Sequence, residues 1–108
     1  MKAVYISGPI TKGDQFANVG AAIRASAMVR NLGHAPLCPH LTAFEHMFQS
    51  QTWEHWIAAD LVWVRKADCV YLLPGESRGA EIEVAEAKRC GIPVFTDAHE
   101  LHFFLASA

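Results

Sequence analysis

The run Leu73-Pro74-Gly75-Glu76-Ser77-Arg78-Gly79-Ala80-Glu81-Ile82-Glu83-Val84-Ala85-Glu86-Ala87 brings together residue types that handle anions and protons. An apolar stretch leads through a Gly/Ser turn into helix-forming residues. The first N–H groups of such a helix are unpaired and its dipole end is positive, so an anion is welcome there. Ser77 adds a hydroxyl and Arg78 a positive charge, which suits a phosphate. Ser77 equally fits a plain N-cap, and local sequence leaves the two uses level. Glutamates in a first turn usually only complement the dipole. Glu83, however, stacks with Ala80 and Ala87 on the apolar side, and more loosely with Cys90, while Glu81 lies about 200° round the helix from it. A carboxylate on the sheet-facing side is desolvated, and that is expensive unless it is used. Asp60 raises the same question, one turn from both Trp56 and Trp63. Two carboxylates beside one pocket suit glycosyl transfer: one attacks the anomeric carbon, the other manages the leaving group's proton.

The elements that would position these groups alternate along the chain. Ala3 to Ile6 is a short apolar strand closed by Ser7-Gly8-Pro9. A helix from about Phe16 to Leu32 carries the stripe Ala22, Ala25, Val29 and Leu32, and Gly33 ends it. Ala35 to Cys38 forms a second strand stopped by Pro39, and residues 39–50 read as an irregular loop with room for a helical turn. Thr52 caps a helix over Trp53 to Lys66 with the stripe Ile57, Leu61 and Val64. Cys69 to Leu73 is nearly all apolar, as a central parallel strand is. A helix over Ala80 to Cys90, a strand over Pro93 to Thr96 and a short helix over His99 to Ala106 complete the order. This β-α alternation predicts a three-layer α/β fold, flavodoxin- or Rossmann-like, with four to five parallel strands and helices on both faces. The whole of 1–108 reads as a single domain. Ligands of such sheets bind beyond the carboxyl ends of the strands, so 7–15, 38–50 and 74–79 are the loops that matter.

Composition excludes several alternatives. The chain has 108 residues, 9 Lys plus Arg against 11 Asp plus Glu, and 52% apolar residues, too apolar and too weakly charged for disorder. The slightly acidic balance carries no footprint for a nucleic-acid polymer. No apolar run approaches the roughly 18 residues that span a bilayer, and the apolar start is too short for a signal peptide. Three widely spaced cysteines (Cys38, Cys69 and Cys90) suit free thiols, so a cytoplasmic protein is expected. Gly8 and Gly13 have P-loop spacing, yet Asp14-Gln15 stands where Lys-Ser/Thr is required. No G-x-G-x-x-G, C-x-x-C or H-E-x-x-H occurs, so neither a cofactor nor a metal is expected.

In three pieces between Val4 and about Val94, the chain resembles the nucleoside 2-deoxyribosyltransferase superfamily. Tyr5-Ile6-Ser7-Gly8-Pro9-Ile10 looks like its opening strand and sugar-side loop. Asp60-Leu61-x-x-Val64-x-x-Ala67-Asp68 looks like its D-L-x-x-hydrophobic-x-x-A/N-D helix, and Ser77-x-Gly79-x-x-x-Glu83 looks like its S-x-G-x-x-x-E signature. The superfamily includes nucleoside 5′-monophosphate N-glycosidases, and also compact phage and bacterial proteins of unassigned function, which the chain resembles most. The resemblance implies a set of roles. Glu83 would attack C1′ and form a glycosyl-enzyme. Tyr5 would orient that carboxylate. Asp60 would meet the sugar hydroxyls or assist protonation of the base. Ser77, with Gly79 in its signature, would hold a 5′-phosphate. Gly8 and Ile10 would line the sugar and base side, and His40 stands where some hydrolases carry a pocket histidine. Pro9 replaces a serine of the nucleotide hydrolases, and Glu81 is a rival nucleophile. A homodimer or higher homo-oligomer is expected, because larger members complete their sites across an interface. The implied activity is cleavage of the N-glycosidic bond of a (deoxy)nucleoside or its 5′-monophosphate. The alternative is a module that binds the nucleotide without cleaving it.

Overall fold

The computed structural model describes residues 1–107. Strands β1 (Ala3–Ser7), β2 (Ala35–Leu37), β3 (Cys69–Leu72) and β4 (Val94–Phe95) form one sheet in the order β2-β1-β3-β4. Every pairing is parallel, with Val4 beside Cys69 and Pro36, and Val70 beside Val94. Helices α1 (Gln15–Asn31), α2 (Thr42–Phe48), α3 (Trp53–Lys66), α4 (Arg78–Arg89) and α5 (Ala98–Ala106) connect and cover the strands. The result is the three-layer α/β sandwich expected, with four strands.

The alternation of β1 divides the core. Val4 and Ile6 pack with Ala22, Ala25 and Val29 of α1 and with Leu101 and Leu105 of α5. Tyr5 points to the other face, among Val64 of α3, Val70 and Ala87 of α4. The small residues of α1 bring that helix close to the sheet. Each helix beginning has a side-chain cap where the sequence offers one: Asp14 accepts from Ala17 N–H, Thr52 from His55 N–H, Ser77 from Ala80 N–H, and Asp97 from the N–H groups of His99 and Glu100.

Two details differ from the sequence expectation. Residues 39–50 are not mainly loop. Pro39–Leu41 makes one 3-10 turn and α2 follows at once. No residue of α2 is buried, so hydrophobic periodicity has nothing to report there. Cys90 is exposed at the end of α4 and does not continue the buried stripe of Ala80, Glu83 and Ala87. Among the described residues no helix is long and apolar enough to cross a membrane.

Candidate active site

The chain leaves β1 for α1 and β2 on one side, and β3 for α4 and β4 on the other. The crevice between β1 and β3 at their carboxyl ends is therefore the topological switch point. A cavity of about 710 Å³ opens there. Gly8 shapes its floor: a Cβ at that position would stand 2.9 Å from Cβ of Leu73, so only glycine lets the two loops meet.

Glu83 projects from the second turn of α4 into this floor and is 5% exposed. Tyr5 hydroxyl donates to its Oε2 at 2.7 Å, and Ser7 hydroxyl donates to its Oε1 at 2.7 Å. Both donors come from β1, two residues apart and so on one face of the strand. Asp60, 8% exposed, reaches the same floor from α3. Burial and the adjacent Glu83 push its carboxyl up to about 7. Burial also raises Glu83, while hydrogen bonds from Tyr5, Ser7 and Asp60 oppose that rise by favouring its ionised form. The two carboxyls titrate as a coupled pair: burial and Glu83 favour the neutral form of Asp60, and the three hydrogen bonds favour the ionised form of Glu83. Burial and the neighbouring carboxylates hold the Tyr5 phenol far above its usual range, so it remains a donor.

The other site residues sort themselves by position. Gly8, Ile10, Ser77 and Gly79 line the cavity with Glu83 and Asp60. Tyr5 lies behind Glu83 and not on the cavity wall. Ser77 Oγ accepts from Ala80 N–H at 3.1 Å, leaving its own proton free for another acceptor. His40 is completely buried behind the cavity and is not one of its lining residues. Glu81 is exposed and outside the cavity. Glu86 faces away from it, bonded to Arg65 at 2.5 Å and to Arg89 at 2.6 Å, which lowers it to about 2. Ser7 is the member that sequence reasoning passed over as a turn residue. Its parity with Tyr5 was the available signal.

The outer wall is aromatic and cationic. Arg78 stacks over Trp53 at 4.8 Å. Trp56 donates its indole N–H to Nδ1 of His46 at 3.0 Å, which ties α2 to α3. Lys12, at the mouth, pairs with Glu76 at 2.7 Å. Among the described residues no cluster of His, Cys, Asp or Glu is arranged to hold a metal.

A family model of the domain of unknown function DUF4406 matches residues 2–96. The chain belongs to the DUF4406 family. None of the curated proteins matches it by sequence. The solved structure of a 2-deoxyribosyltransferase from the psychrotolerant bacterium Bacillus psychrosaccharolyticus is similar, with a TM-score of 0.67 and 20% sequence identity, over 85% of this chain and 69% of that one. At that identity the likeness establishes the fold of this DUF4406 chain, and its chemistry has to be argued from the site itself.

Proposed function

We propose that the protein cleaves the N-glycosidic bond of a (deoxy)nucleoside or nucleoside 5′-monophosphate, with Glu83 as nucleophile. The reading rests on one observation above all: a buried carboxyl pair on the floor of a large cavity, with Glu83 held by two hydroxyl donors and Asp60 beside it pushed towards its neutral form. Environments that push two carboxyls apart assign the acid and the base. Tyr5 and Ser7 fix both Glu83 oxygens. In the first step a Glu83 oxygen forms a bond to C1′, the C1′–N bond breaks, and its electron pair leaves with the base. Asp60 supplies the proton that the departing nitrogen takes up. In the second step water attacks C1′, releases Glu83 and returns a proton to Asp60, so configuration is retained.

Ser77, Arg78 and Lys12 line the phosphate end, which favours a monophosphate over a nucleoside. Ile10 and Trp56 offer apolar faces for a base. The test is chromatographic: incubation with ribo- and deoxynucleosides, their 5′-monophosphates and NAD, followed by assay for free base. Base release supports the proposal and names the substrate. No release, with a nucleotide still raising the melting temperature, favours the binding module instead. The homo-oligomer is tested separately by light scattering, as a mass above the 11.9 kDa of one chain.

A further inference from the structure

Among the described residues, the two ring nitrogens of His40 are the only fully buried side-chain nitrogen or oxygen atoms without a hydrogen-bond partner. The side chain is 0% exposed and sits in the 3-10 turn after β2. An orphaned buried polar group is costly, and an apolar side chain of similar size would fill the space without that penalty. A buried imidazole of this kind calls for a partner or a role. The carbonyls of Gly8 and Pro9 face the ring without completing a hydrogen bond to it.

Those carbonyls lie in the unpinned middle of an otherwise fixed loop. At its start, Ser7 carbonyl accepts from Leu73 N–H at 2.8 Å. At its far end, Asn18 amide donates to the carbonyls of Ile10 at 3.0 Å and Lys12 at 2.8 Å. Between the pins, Pro9 wedges against the β3–α4 loop: a Cβ on Gly75 would stand 2.8 Å from Pro9 Cγ. Gly8-Pro9 thus joins Ser7, which holds Glu83, directly to Ile10, which lines the cavity.

We infer that His40 is a positioning residue, whose ring N–H closes onto the Gly8 or Pro9 carbonyl as substrate seats and so locks Ser7 and Glu83 in register for attack. The inference rests on the glycosidase reading for its kinetic consequence and on the loop geometry for its structural one. Burial lowers the basicity of the ring, so it acts as a neutral donor.

The test compares wild type with His40→Leu, His40→Gln and His40→Asn on the nucleotide that releases base. His40→Leu removes both orphaned nitrogens, so it keeps or raises the melting temperature while kcat falls at least about tenfold and KM moves less than about threefold. One of the two amides, which retain an N–H donor at different reach, recovers kcat to within about threefold of wild type. Wild-type kcat in His40→Leu overturns the inference, as does a loss that neither amide rescues. If His40→Leu does not fold, the amides decide: one active and one impaired supports the anchor, and equal activities contradict it. If wild type itself releases no base, the glycosidase reading has failed and the anchor is read by hydrogen exchange. Exchange at the Gly8 and Ile10 amides at least about tenfold faster in His40→Leu supports it, and unchanged exchange overturns it.

Discussion

Two neighbouring carboxyls in a buried place cannot both ionise without penalty, and the consequence is measurable in stability as well as in rate. Asp60 has a folded value of about 7 against 3.8 for the free side chain. Between those values the native state holds more protons than the unfolded state, so stability falls as pH rises from about 4 to about 7. Asp60→Asn removes the titration and keeps a donor to Glu83. It is expected to raise stability at pH 8 by about 2 kcal/mol, to flatten that pH slope, and to lower turnover. Denaturant unfolding at several pH values checks this, and an unchanged slope would show that Asp60 does not carry the proton. Tyr5→Phe takes one donor from Glu83 and so raises the pH at which that carboxyl ionises. The acid limb of the pH–rate profile should move up, with kcat lowered and the fold intact. A profile that stays in place would remove the orienting role of Tyr5.

Helix α4 couples its own start to the chemistry. Ser77 caps it and also lines the cavity, so truncation confuses two effects. Ser77→Ala should cost about 1 kcal/mol of stability for the lost cap. Ser77→Asp keeps the cap and sets a negative charge against a phosphate, so it should leave the melting temperature nearly unchanged. It should weaken binding of a nucleoside monophosphate at least about tenfold while sparing the nucleoside. Calorimetric titration with both ligands checks this, and equal losses would exclude a phosphate at Ser77. The placement of Glu83 on the buried side of α4 was legible in sequence because Ala80 and Ala87 mark that side at helical spacing. The contrast with Glu81 follows from the same geometry. The seven residues of α2 were not legible, since none is buried and no capping side chain begins the helix. Ser7 was missed because serine before glycine reads as a turn, whereas here it is the last residue of β1.

The architecture as a whole could be read from the alternation of short apolar runs with helical stripes, because a parallel sheet leaves few other arrangements. What alternation cannot supply is the depth of the site. That the β1–α1 and β3–α4 loops touch through Gly8, Leu73, Pro9 and Gly75 is a property of packing between residues far apart in the chain. The fold concentrates burial around the carboxyl pair: β1 is buried along most of its length, while α2, over the cavity, has no buried residue and is tied to α3 through His46 and Trp56. Amide exchange should therefore be slowest in Val4–Ile6 and fastest among the helices in Thr42–Phe48. A nucleotide that seats beneath α2 should slow exchange there more than elsewhere, and no change in α2 would place the ligand outside this cavity. The cavity, the two hydroxyl donors and the neighbouring Asp60 carboxyl all converge on one side chain. The decisive measurement is base release by Glu83→Gln beside wild type on the preferred substrate at neutral pH, with thermal melting of both proteins. Release that falls at least about a thousandfold in a variant that still melts as a folded protein is the predicted result. Undiminished release by folded Glu83→Gln would contradict the assignment of Glu83 as nucleophile.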